Sequence, residues 1–174
     1  IGKFLREYDY KISLIDLQDR KKWSSAPEVG KYIHTGRGKY TKTRINKPEI
    51  LSDIPRYYGL YGAKPEQFKK ELQKYNPDAI LVTSQMTYWY PGVEKTIEIL
   101  RQHFPDKPLI LGGIYATLCS KHARKVMQPD YLIAGAGEKQ VLVLLDKLFG
   151  IHRNYAFVPE FSDEGVLPWD LYDE

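Results

Sequence analysis

Residues 76–93 read NPDAILVTSQMTYWYPGV. The first half is a short apolar run behind a Pro-Asp turn. The second half is polar and aromatic, with Tyr88, Trp89 and Tyr90 in a row. A continuous apolar run bounded by turn residues suits a strand buried on both faces. The pattern recurs as DKPLILGG at 106–113 and QPDYLIAG at 128–135. Each copy has a proline, a short apolar run and a small residue at the end.

Helical patterns lie between and around these runs. Val93, Ile97, Leu100 and Phe104 form one stripe over 93–104, and Val141, Leu144, Leu145 and Leu148 another over 138–149. Residues 117–127 are a shorter helical segment. Residues 65–75 place Phe68, Leu72 and Tyr75 on one face, with Pro65 tolerated in the first turn. The N-terminus reads as a helix over 2–8 and then a strand, YKISLIDL, at 10–17. Strands alternating with helices predict parallel β-α-β units in a doubly wound, three-layer α/β domain. Four strands are expected here, or five in an intact domain whose first strand precedes residue 1.

Composition agrees with a globular chain. Of 174 residues, 43% are hydrophobic and 28% charged, with a net charge of +4. That balance supports a core and permits an anionic ligand without calling for nucleic acid. A single cysteine, Cys119, excludes a disulfide framework and any metal cluster held by cysteines of this chain alone. No run reaches the roughly 18 apolar residues of a membrane helix, and no signal peptide is visible, so a cytoplasmic location is expected.

Residues 18–64 break the rhythm. The piece 30–47 carries Lys31, Arg37, Lys39, Lys42, Arg44 and Lys47 and no acid. It reads as a solvated basic excursion, with a cover over an anionic ligand or a docking arm as the sharper alternative. Residues 151–174 lack periodicity and read as a linker.

In an open parallel sheet, ligands bind beyond the carboxyl ends of the strands. Those ends carry Thr83, Ser84, Gln85 and Met86 on the first run, Gly112 and Gly113 on the second, and Gly135 to Glu138 on the third. Glycines allow close backbone approach, and a helix N-terminus after Gly137 accepts a polar or anionic group. Neither a complete dinucleotide fingerprint nor a P-loop occurs. Of the histidines at 34, 103, 122 and 152, His103 suits a helix C-terminus. Cys119 and His122 share helical spacing but lack companions for a metal site.

VTSQMTYWYPGV, LILGGIYATLCSKHA and PDYLIAGAGE together resemble the cobalamin-binding domain that precedes the catalytic barrel of B12-dependent radical S-adenosylmethionine proteins, a group of iron–sulfur oxidoreductase-like enzymes. The resemblance covers about residues 1–150. It implies a flavodoxin-like Rossmann domain with cobalamin across the strand tips. Ser84 would touch the nucleotide tail, Gly112 and Gly113 would let it pass, and Gly135, Ala136, Gly137 and Glu138 would line the same groove. Thr83, Gln85, Met86, Ile114 and Tyr115 complete the expected cofactor-binding set. Tyr88 to Tyr90 would edge the pocket or face the barrel.

The resemblance also implies that residues 151–174, with LPWDL, lead toward a barrel holding a [4Fe–4S] cluster and S-adenosylmethionine. This chain lacks the barrel's C-x-x-x-C-x-x-C motif, so it is expected to bind cobalamin rather than catalyse alone. It also lacks the D-x-H-x-x-G that supplies a cobalt ligand in the methylmalonyl-CoA mutase and methionine synthase branch. Ala136 stands where an acidic residue is common, and Ser120 where proline is common. The alternative expectation is a cofactor-free interaction domain of the same fold.

Overall fold

The computed structural model describes residues 1–23 and 40–159. They fall into two compact units: one takes Ile1–Leu14 and the chain from Pro77 onward, the other Ile15–Asn76.

In chain order, α1 spans Gly2–Arg6, α2 Arg20–Trp23, β1 Lys42–Arg44, β2 Gly59–Tyr61 and α3 Pro65–Leu72. Then come β3 (Ile80–Ser84), α4 (Tyr90–His103), β4 (Leu109–Gly112), α5 (Gly113–Leu118), α6 (Ser120–Met127), β5 (Tyr131–Leu132) and α7 (Glu138–Phe149). A short 3₁₀ turn, Thr87–Trp89, precedes α4.

The three matching runs become β3, β4 and β5, a parallel sheet in the order β3-β4-β5. The middle strand is covered on both faces. Ile110 packs with Phe4 and Leu5 of α1 and with Val141, Leu142 and Leu145 of α7. Leu109 and Leu111, which point the other way along a strand, are equally buried. On α4 the buried residues are Val93, Ile97, Ile99 and Leu100, and Ala123 and Met127 are buried on α6. The result is a three-layer, flavodoxin-like α/β unit.

Asp130 ties the sheet's lower end. Its carboxylate accepts the Leu109 N–H at 2.7 Å and pairs with Arg101 at 2.9 Å. Burial pushes this carboxyl up, but the bonds from Arg101 and Leu109 outweigh that and hold it below its usual range.

Several expectations need correction. Residues 10–16 form no strand; no ladder partner meets them among the described residues. Their alternation survives as packing, because Tyr10 and Ile12 lie against the core while Lys11 and Ser13 are exposed. The parallel sheet therefore has three strands here. Burial on both faces holds for β4 but not β3, where Leu81 and Thr83 are exposed. The helix expected from Val93 begins at Tyr90, since Pro91 fits its first turn. The segment 117–127 is not one helix: it holds the end of α5 and all of α6, which meet at Cys119, whose φ of −120° and ψ of 37° are not helical.

The second unit pairs β1 and β2 antiparallel. Phe68 and Leu72 of α3 are buried, and Glu71, also buried, accepts bonds from Lys22, Lys74 and Tyr75. Burial alone would push the Glu71 carboxyl up, but the two lysines hold it down. Arg44 stands 4.2 Å over the Tyr57 ring and Lys42 5.2 Å over Tyr61, so exposed cations here rest on tyrosine faces. Most of the basic piece 30–47, and the linker from residue 160 onward, lie outside the described residues.

Candidate functional site at the strand tips

The parallel register brings the strand ends level. Thr83 lies opposite Gly112, and one step further Ser84 bridges Gly113. The turn after β5 follows at Gly135 to Gly137.

The glycines divide by physical role. Gly113 has a φ of +87°, and a Cβ there would collide with Thr83 Oγ1 and lie 2.9 Å from the Ser84 carbonyl. β3 thus fills the side of Gly113 that a side chain would occupy. Gly112 has only ordinary contact, with Ile133 O 3.9 Å from a built Cβ. Gly135 has a φ of +81° and nothing within 4 Å of a built Cβ, so its backbone faces open space. Gly137 is buried, and its N–H donates to the Glu138 carboxylate at 3.1 Å. Glu138 therefore caps the entry of its own helix.

The side chains divide as well. Ser84 is buried and its hydroxyl donates to the Met86 carbonyl at 3.0 Å, fixing the exit from β3. Thr83, Gln85, Met86, Ile114, Gly135 and Ala136 are exposed. Tyr115 is 1% exposed. Its hydroxyl meets His122 Nδ1 at 2.8 Å, and burial pushes its phenol up. It supports the rim from inside and offers no surface to a ligand.

The aromatic run separates into two tasks. Tyr88 is 69% exposed and meets Trp89 edge-on at 6.0 Å. Tyr90 stacks on Tyr115 at 6.3 Å and meets His122 edge-on at 5.0 Å, joining α4, α5 and α6. Among the described residues no cluster of three metal-ligating side chains occurs.

Two residues escaped the sequence reading. Thr117 Oγ1 donates to the Gly113 carbonyl and accepts the Gly135 N–H, both at 2.9 Å. The Gln140 amide donates to the carbonyls of Ala134 at 3.2 Å and Ala136 at 2.6 Å. Thr117 carries one sequence signal, its place four residues after Gly113, where a helical Thr can bond back. Its bond to Gly135 needs the fold.

The family model described as B12 binding domain matches residues 56–145, more than half of the chain. The chain belongs to the B12-binding domain family. No curated protein and no solved structure gives a significant match. As a B12-binding domain the chain is flavodoxin-like, in agreement with its three-layer sheet, and membership supports cobalamin as ligand.

The tip residues fit that ligand. Corrin is a broad, amide-fringed ring, and such ligands take apolar surface with a few placed polar groups. The rim offers Met86 and Ile114 as exposed apolar surface, Thr83 and Gln85 as polar partners, and open backbone at Gly135. No helix among the described residues is long and apolar enough to cross a membrane.

Proposed function

We propose that this chain is the cobalamin-binding module of a larger radical S-adenosylmethionine enzyme. Residues 1–150 hold the cofactor and residues 151–174 lead toward a catalytic barrel. The iron–sulfur cluster and S-adenosylmethionine belong to that barrel. Bound cobalamin would supply methyl transfer or assist a rearrangement.

The observation that carries the reading is the level rim: Thr83 opposite Gly112, Ser84 bridged to Gly113, and the open turn at Gly135 beyond. Gln85 and Thr83 offer hydrogen bonds to the corrin amides. Met86 and Ile114 cover its apolar face. Gly112, Gly135 and Ala136 leave room for the nucleotide tail, and Gly113, Tyr115, Gly137 and Glu138 hold the backbone that lines it. Ser84 orders the turn and keeps acceptor capacity on its oxygen.

The test is direct. Hydroxocobalamin is mixed with the protein and passed over a gel-filtration column. A coloured protein peak is expected. A colourless peak, with no affinity into the high micromolar range, overturns the reading in favour of an interaction domain. The radical half is tested in the parent reading frame, where a C-x-x-x-C-x-x-C motif is expected after residue 174 and its absence overturns that half.

A further inference from the structure

We infer that Thr117 is a positioning residue for cobalamin, setting the distance between the two glycine turns that frame the groove. The inference rests on the cobalamin reading above and deepens it.

Thr117 joins the tips in series. Ser84 bridges Gly113 across β3 and β4. The Gly113 carbonyl accepts the Thr117 hydroxyl, and Thr117 Oγ1 in turn accepts the Gly135 N–H, both at 2.9 Å. A hydroxyl has one proton to give and two lone pairs to receive, so both bonds form at once. Each turn contains a glycine at positive φ, +87° at Gly113 and +81° at Gly135.

The two turns are not equally held. Gly113 is fixed by its closeness to Thr83 and Ser84, whereas Gly135 itself has open space where a Cβ would stand. Gln140 grips that turn from α7 through the carbonyls of Ala134 and Ala136, but α7 is on its own side of the turn. Thr117 ties the Gly135 N–H itself to Gly113, the first residue after β4. A turn ordered before the ligand arrives avoids the entropy of ordering it afterwards. The bond is exposed, so water can satisfy Gly135 N–H and Gly113 C=O when the hydroxyl is removed, and the fold should tolerate the loss.

The experiment compares the parent chain with Thr117→Val, which keeps the shape, and Thr117→Ser, which keeps the hydroxyl. Hydroxocobalamin affinity is measured by titration and thermal stability by circular dichroism. Thr117→Val should weaken binding by about tenfold, with little change in Tm, and Thr117→Ser should bind like the parent. Equal binding by Thr117→Val overturns the inference, as does equal weakening in both variants. If the parent itself fails to bind, the cobalamin reading falls, a result distinct from a parent that binds and a valine variant that binds as well.

Discussion

Tyr10 donates its hydroxyl to the carboxylate of Asp146 at 2.7 Å, across 136 residues of sequence. Asp146 is fully buried, yet it lies on α7, whose apolar face packs the core. Tyr155 donates to the same carboxylate at 2.9 Å and Arg153 at 3.0 Å, while Arg153 also reaches the Tyr8 carbonyl at 3.3 Å. One carboxylate thus fastens the segment before the sheet and the segment after α7 to the same helix.

Replacing Asp146 by Asn weakens the bonds from Tyr10, Tyr155 and Arg153 and should cost at least about 1.5–3 kcal/mol, the usual worth of a hydrogen bond to a charged group. Tyr10→Phe removes one bond to a charged group and should cost about 1.5–3 kcal/mol. Urea midpoints measure both. The pH dependence has two arms. Burial raises the Asp146 carboxyl, but Tyr10, Arg153 and Tyr155 more than reverse this and leave it lowered. Its contribution is therefore complete above the unfolded carboxyl range, near 4, and is lost as pH falls through the lower folded value. Burial and then Asp146 push the Tyr10 phenol well up. That contribution is complete below about pH 10 and is lost above it. Parent stability should fall at both extremes, and Tyr10→Phe should flatten the alkaline arm.

The glycine pair where β4 meets α5 gives a second contrast. Gly113→Ala places a Cβ against Thr83 Oγ1 and Ser84 at a φ of +87°. Positive φ alone costs a side chain about 1–2 kcal/mol, and the collision adds to it. Gly112→Ala has ordinary space and a φ of −135°, so its midpoint should stay within about 0.5 kcal/mol of the parent. Urea unfolding of the two variants checks this. A large substitution at Gly113 would report on folding rather than on cobalamin.

The sheet was legible because its signal is local. Pro, apolar run and small residue mark β3, β4 and β5 within eight or nine residues each, and Val93, Ile97 and Leu100 are buried as their spacing predicts. The segment 10–17 misled because alternation shows which residues face a core, not whether a neighbouring strand is there to bond. The rim was legible in position but not in role. Tyr115 follows Ile114 in sequence, yet one is 1% exposed and the other 49%; the turn of α5 separates them. Thr117 and Asp146 were not legible, since each draws its importance from partners that only the folded chain assembles.

Tyr115 therefore invites a graded test. Tyr115→Phe removes the bond to His122, an exposed ring that water can satisfy, and should cost under about 1 kcal/mol. Tyr115→Ala empties a buried aromatic site under Tyr90 and should cost about 3–5 kcal/mol. Cobalamin affinity of the phenylalanine variant should equal the parent's, because the hydroxyl points at His122 and away from solvent. Denaturant midpoints and a hydroxocobalamin titration settle the three values.

Ile114 is the rim residue best placed to separate binding from folding. It is 49% exposed on α5, directly after Gly113. Replacing a surface residue usually changes stability by about 0.5 kcal/mol or less, so Ile114→Glu should unfold close to the parent. In the proposed site a glutamate there sets a carboxylate against the corrin's apolar face, and the ligand would have to desolvate that charge to bind. Hydroxocobalamin affinity should fall by about tenfold or more, with the circular dichroism spectrum unchanged. Retained affinity in Ile114→Glu would place the corrin elsewhere on the rim, toward Met86 and Tyr88, and the matching glutamate at Met86 would then carry the loss.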